Sequence, residues 1–167
     1  MTAILRRLPF FEHATIAIVA GEEVPIRPYQ IIVWVSLRAR SVLSQPFPAV
    51  LDTGYSHYLS IGEELLSRWA NIKRDDLRGI GRSKINEHPV ELFAASLFLH
   101  SNKPGHRDEL RDPQRLLIPD GVAVYKAGDP RTPRLPTLGL RTLVRNNLRT
   151  VINGKRQFFS VGQGLLW

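Results

Sequence analysis

Ala49-Val50-Leu51-Asp52-Thr53-Gly54-Tyr55-Ser56 is the stretch on which the reading of this chain turns. A short apolar run, preceded by Pro46 and Pro48, leads straight into an acid and a glycine. The pattern predicts a strand that ends in a loop at Asp52. There Gly54 lets the backbone come close enough to offer amides to the carboxylate. Thr53 offers a hydroxyl for a buried supporting hydrogen bond. With each residue type at roughly 5–7% usage, the bare tripeptide arises by chance in about a few per cent of chains this long, so its surroundings decide its meaning.

Upstream, Gln30 to Leu37 is rich in β-branched and aromatic residues and follows Pro25 and Pro28, which predicts a strand. Arg38 to Gln45 is a polar turn region. Downstream, Ser60-Ile61-Gly62-Glu63 has the form of a capping box, and Leu65, Leu66, Trp69 and Ile72 recur at helical spacing along the segment it would open. Asp75 to His100 reads as a long hairpin, its tip either near Asn86-Glu87-His88-Pro89 or at Gly79-Ile80-Gly81. Ser101 to Pro119 is polar and reads as an exposed loop or insertion. Ile118 to Tyr125 reads as a strand and Ala127 to Pro136 as a loop. Arg141 to Leu148 offers Leu143, Val144 and Leu148 to one side of a short helix. Asn153-Gly154 between two strand-like runs is a strong hairpin signal. The sum is mainly β with two short helices, and no internal repeat.

The 167 residues suit one domain, and the mix of 43% hydrophobic and 23% charged residues is that of a globular protein. No stretch of about 18 apolar residues is available to span a bilayer, so a soluble protein is expected and no membrane partner. The first residues lack the pattern of a secretory signal. Without cysteine there is no disulfide or thiolate chemistry, and the cytoplasm is the default location. The net charge of +8 raises nucleic-acid binding. Its basic residues, however, are spread through the second half among Asp108, Glu109, Asp112 and Asp129. A solvated basic face is the better reading.

Taken in order, these features resemble the retropepsin-like, or retroviral-type, aspartic proteases. Ala49 to Gly54 is similar to that family's apolar-apolar-Asp-Thr/Ser-Gly signature, and Leu135 to Leu143 resembles its second signature, in which apolar residues and a Gly precede a short helix. Leu148 to Val161 is similar to its closing hairpin. The match runs from about Tyr29 to Val161, which divides the chain into an N-terminal extension (1–28), a protease domain (29–161) and a tail (162–167).

The resemblance implies a closed, barrel-like β fold with a flap hairpin, and a water activated between two carboxylates that share a proton. Only one Asp-Thr-Gly is present, so the second carboxylate would be Asp52 of another copy in a two-fold homodimer. It further implies that Asp52 is catalytic, that Thr53 and Gly54 support it, and that Tyr55, Ser56, Ile80 and Gly81 contact a peptide or protein substrate. No metal or other cofactor enters such chemistry.

Departures from the pattern are Tyr55, where the family commonly has Ala, and Thr137 at the first apolar place of the second signature. Ser56 and Leu140 stand where many members carry an acid and an Arg that pair. Two other readings compete: a catalytically silent dimer of the same fold that binds peptides or partner proteins, suggested by Tyr55 and the missing pair, and a basic nucleic-acid-binding module.

His57 lies near Asp52 but has no Ser or Cys nucleophile at triad spacing. His100 and His106 lack evident further ligands for a metal. Trp34, Trp69, Phe93, Phe98, Phe158 and Phe159 suit core or dimer packing, and Trp167 suits packing across a dimer.

Overall fold

Strand segments of this chain are of two kinds: Thr15–Val19 and Glu22–Ile26 alternate buried with exposed positions, whereas Leu59–Gly62 and Val122–Tyr125 are buried throughout. The structure, a computed structural model, describes residues 3–163. The elements are β1 (Ala3–Pro9), β2 (Thr15–Val19), β3 (Glu22–Ile26), β4 (Ile32–Ala39), β5 (Val42–Leu43), β6 (Phe47–Asp52) and β7 (Leu59–Gly62), then helix α1 (Glu63–Ala70) and a 3₁₀ turn at Arg74–Asp76. They continue with β8 (Arg78–Ile85), β9 (His88–Ala94), β10 (Ser96–Asn102), β11 (Leu110–Leu116), β12 (Val122–Tyr125) and β13 (Thr137–Gly139). Helix α2 (Leu140–Arg145), β14 (Leu148–Asn153) and β15 (Phe158–Gln163) close the sequence of elements. The fold is mainly β, as expected.

Strand β4 is buried from Ile32 to Leu37, so both of its faces pack and its run of β-branched and aromatic side chains is fully used. It lies inside a ten-stranded sheet ordered β11-β10-β4-β6-β13-β7-β12-β9-β8, with β5 paired to β4. The sheet's end strands, β11 and β8, do not pair with one another. The closed barrel implied by the resemblance is therefore not formed, and the sheet is open.

Both ends carry residues that discourage further pairing. β11 contains Pro113, which has no N–H to donate, and β8 presents Arg78, Arg82 and Lys84, exposed along an edge. β11 also corrects the reading of 101–119 as a loop: from Leu97↔Leu116 to Asn102↔Leu110 it pairs with β10. Its polar sequence is that of an edge strand, which buries only Leu116.

The hairpin tip is settled in favour of Asn86-Glu87. Both residues have positive φ, 49° and 65°, as a two-residue mirror-image turn requires. Gly79 and Gly81 instead sit within β8, where the register with β9 slips between them.

Helix α1 forms where expected, with Leu66, Trp69 and Ile72 buried and Leu65 half-buried. The capping box does not form. Ser60 belongs to β7, its backbone paired with Ala123 on one side and Thr137 on the other, and it lies two residues before the helix's N-cap, so it is not at the capping position. Gly62 is the residue before the helix and gives no side-chain cap. Glu63 turns its carboxylate to the Ala127 N–H at 2.9 Å, and with Glu64 it places negative charge at the helix's positive end.

In α2 only Leu143 of the expected apolar face is buried. Val144 is 66% exposed, and Leu148 already begins β14. The last hairpin is present, but Asn153 ends β14 and a four-residue turn spans 154–157; the Asn153 Oδ1 accepts the Arg156 N–H at 2.9 Å. Asn-Gly here opens a longer turn rather than forming the two-residue one.

Residues 1–28, read as an extension, supply three strands to the same core. β1 pairs with β15 in a three-stranded sheet ordered β1-β15-β14, and Leu5, Leu8, Phe159 and Val161 join the main buried cluster. Ala17, Val19, Val24 and Ile26 of the β2–β3 hairpin pack into that cluster too. The buried Asn102 side chain ties β1 down by accepting the Arg6 N–H at 2.8 Å and donating to the Arg6 carbonyl at 3.0 Å. Trp167 lies outside the described residues. Among the described residues no helix is long and apolar enough to cross a membrane.

The feature that organises the sheet is β13. It lies between β6 and β7, parallel to the first (Gly139↔Asp52) and antiparallel to the second (Leu138↔Leu59). The chain from β6 to β7 must therefore pass over it. Gly139 N–H donates to the Tyr58 carbonyl at 2.9 Å and Leu140 N–H to the Tyr55 carbonyl at 3.1 Å. A Cβ at position 139 would stand 2.0 Å from the His57 carbonyl oxygen and 2.5 Å from that of Tyr55. Gly139→Ala is expected to cost about 3 kcal/mol or more, because only backbone can yield there. Chemical denaturation checks this, and an unchanged midpoint would show that the crossing tolerates a side chain.

Candidate active site

Asp52 is the last residue of β6, and neighbours on two sides fix it. Leu51 N–H donates to the Ile31 carbonyl and Val50 N–H to the Pro136 carbonyl, each at 2.8 Å. Beyond the strand, Gly54 N–H donates to the Asp52 Oδ1 at 2.8 Å, and Tyr55 N–H donates to the Asp52 carbonyl at 3.2 Å in a tight turn. A Cβ on Gly54 would approach the same Oδ1 to 3.3 Å, so the glycine permits this closeness. The carboxylate is thus oriented by a backbone amide yet exposed on the single chain.

Thr53 and Gly54 are exposed as well. The buried hydrogen bond expected of the Thr53 hydroxyl is absent among the described residues, since no other part of the described chain covers the outer side of this loop.

Tyr55, expected to contact substrate, is half-buried. Its ring packs beside Ile85, Val90, Ala123 and Tyr125, under the β8–β9 hairpin. Its hydroxyl is enclosed near those of Ser60 and Tyr125, without hydrogen-bond geometry to either. Burial holds that hydroxyl well above the ordinary tyrosine range, so it stays protonated. The large residue after Gly54 is absorbed by the fold as a support for the hairpin.

Ser56 is exposed, with its hydroxyl 3.3 Å from the His57 Nδ1. The opposite ring nitrogen, His57 Nε2, lies 2.9 Å from the Ser83 Oγ on β8. One imidazole therefore ties the loop after Asp52 to the hairpin. Its pKa is lowered, first by partial burial and then by the Arg141 guanidinium, against the opposing pull of Asp120, so the ring is neutral at pH 7.

Arg141 pairs with Asp120 at 3.0 Å, and its guanidinium lies 5.1 Å from the centre of the Tyr58 ring. Sequence reading missed Ser83, Asp120 and Arg141. Positions 56 and 140 lack the charges many relatives of the resembled family pair, but Arg141, one place on, has found an acid elsewhere.

Ile80 and Gly81 are in the middle of β8 and border an open cleft of about 580 Å³ between the face of the β8–β9 hairpin and the turn 118–121. Ser83 lines the same cleft, which thereby adjoins the His57 tether. The other histidines are engaged singly: His100 Nε2 with the Ser36 Oγ at 2.9 Å, and His106 with Glu109 at 2.7 Å. No three potential metal ligands come together among the described residues. Trp34, Trp69, Phe93 and Phe159 are buried and Phe98 and Phe158 half-buried, as packing residues.

No protein-family model matches the chain, and comparison with curated proteins and with solved structures gives no match either.

Removing the tether should loosen the hairpin without unfolding the chain. In Ser83→Ala or His57→Ala, amides of 78–94 are expected to exchange about three- to tenfold faster, the worth of one net hydrogen bond. Hydrogen exchange read by mass spectrometry measures it; protection equal to that of the parent chain would mean that the bond holds nothing.

Proposed function

We propose that the chain is one half of a retropepsin-like aspartic endopeptidase, active as a two-fold homodimer. The observation that carries this reading is the setting of Asp52: a carboxylate at a strand end, aligned by the Gly54 N–H and registered against Gly139 of the threaded strand β13, yet open to solvent on the single chain. Such a group is rigid on its own side and unpaired on the other. A symmetric copy would bring a second Asp52 to it, and two carboxylates about 3 Å apart share one proton. The ionised member takes a proton from a water bound between them as that water attacks the scissile carbonyl carbon. The protonated member donates to the carbonyl oxygen, and collapse of the intermediate returns a proton to the departing amine. The hairpin, bound to the loop through Ser83 and His57, would form the cover over an extended peptide.

A silent peptide-binding dimer draws its support from Tyr55, and the inward packing of that ring weakens the case for it. Basic residues are interspersed with acids that pair some of them, as in Arg68 with Glu22, Lys103 with Glu109 and Arg131 with Asp129, which suits a solvated face better than a nucleic-acid site.

Asp52→Asn should lower cleavage of unfolded protein or peptide by about 100-fold or more while leaving mass and thermal transition unchanged. At constant total chain concentration, replacing half of the parent chain by this variant, under subunit exchange, should leave about one quarter of the dimers with two acids and activity at about one quarter of the parent's. Full activity in the variant, or a loss of only half on mixing, overturns the reading.

A further inference from the structure

The cleft beside the hairpin carries charge that the chain itself does not neutralise. Its lining combines the apolar Ile80, Leu92 and Ala94 with Arg78 and Arg82 of β8 and with the turn that contains Asp120. Asp120 is already taken by Arg141 at 3.0 Å. Arg82 has a side chain that is 78% exposed and reaches only Glu91, at 3.9 Å, while Glu91 is held more closely by Arg74. Arg78 is exposed and has no ion pair among the described residues. Arg78 therefore lines the cleft without an acid of its own, and Arg82 has only a distant one, Glu91, which it shares with Arg74. Planar guanidinium groups favour carboxylates, which they bind through paired hydrogen bonds.

We propose that this cleft is a specificity site that selects an extended peptide bearing Glu or Asp side chains, with apolar neighbours against Ile80, Leu92 and Ala94. The inference rests on the reading of Asp52 as peptidase, under which a peptide lies along the hairpin; Ser83, which lines this cleft, is joined to His57 of the loop that follows Asp52. An exposed Ile80, 41% accessible on an edge strand, is explained by the same occupant. Recognition is electrostatic at the arginines and hydrophobic at the apolar lining.

The test uses the full chain carrying Asp52→Asn, so that binding is read without turnover. Fluorescent decapeptide libraries are compared by anisotropy, with Glu, Gln or Lys fixed at alternate positions and the remainder randomised. The Glu library is expected to bind about three- to tenfold more tightly than the Gln library, with the advantage shrinking as salt is raised. Adding Arg78→Glu and Arg82→Glu, both exposed positions where folding is undisturbed, should reverse the order in favour of Lys. Equal binding of the libraries, no binding of any, or a Glu preference that survives the double substitution overturns the proposal. Cleavage of the same libraries by the parent chain separates the two readings. Cleavage without charge preference sinks the specificity site alone, whereas Glu-selective binding without cleavage leaves it standing and removes the peptidase.

Discussion

The close crossing of Gly139 beneath the carbonyls of Tyr55 and His57 is the constraint on which the rest of the structure depends. A strand can be inserted between two strands that follow one another in sequence only if the connection between them passes over it, and here the separation leaves no room for a Cβ. The two amides at the crossing, of Gly139 and Leu140, donate to carbonyls of the loop, and the Tyr58 carbonyl also accepts the Thr142 hydroxyl at 2.8 Å. Asp52 inherits its position from this arrangement. Its backbone is paired in register with Gly139 and its side chain meets the next amides of its own turn.

Much of this was legible in the sequence because it depends on local chemistry. The apolar run before Asp52 and the helical spacing from Leu65 to Ile72 each report a local requirement, and each appears where expected. What was not legible depends on pairing at long range. Ser60 and Glu63 have the spacing of a cap, yet a strand on either side of β7 claims Ser60 first. β11 has the composition of a loop because an edge strand needs few apolar residues. The pairing of β1 depends on β15, some 150 residues away along the chain, and no periodicity within either segment announces it.

The site residues divide along the same line. Asp52 and Gly54 are two positions apart and their bond is a short-range one, so the motif exposes it. The tether from His57 to Ser83 spans 26 positions, and the pair of Arg141 with Asp120 links a helix to a turn; neither leaves a pattern in sequence. Tyr55 shows a packing role that residue type alone does not reveal. A tyrosine beside an acid suggests a substrate contact, but the apolar cluster of Ile85, Val90 and Ala123 gives its ring a better place inside.

That inward placement bears on how a large residue can follow Gly54 without obstructing a site. The ring lends its area to the underside of the hairpin, and its hydroxyl forgoes a hydrogen bond, at a cost of about 1–3 kcal/mol, in exchange for packing. The loop between β6 and β7 is thus held from three directions: by the threaded strand below, by Tyr55 under the hairpin and by His57 at its flank. Its remaining side, which presents Asp52, Thr53 and Gly54, is exposed on this chain. A loop that rigid, with its acid and hydroxyl directed to the uncovered side, has the form of a surface completed by a second molecule, and on the proposed reading that molecule is another copy.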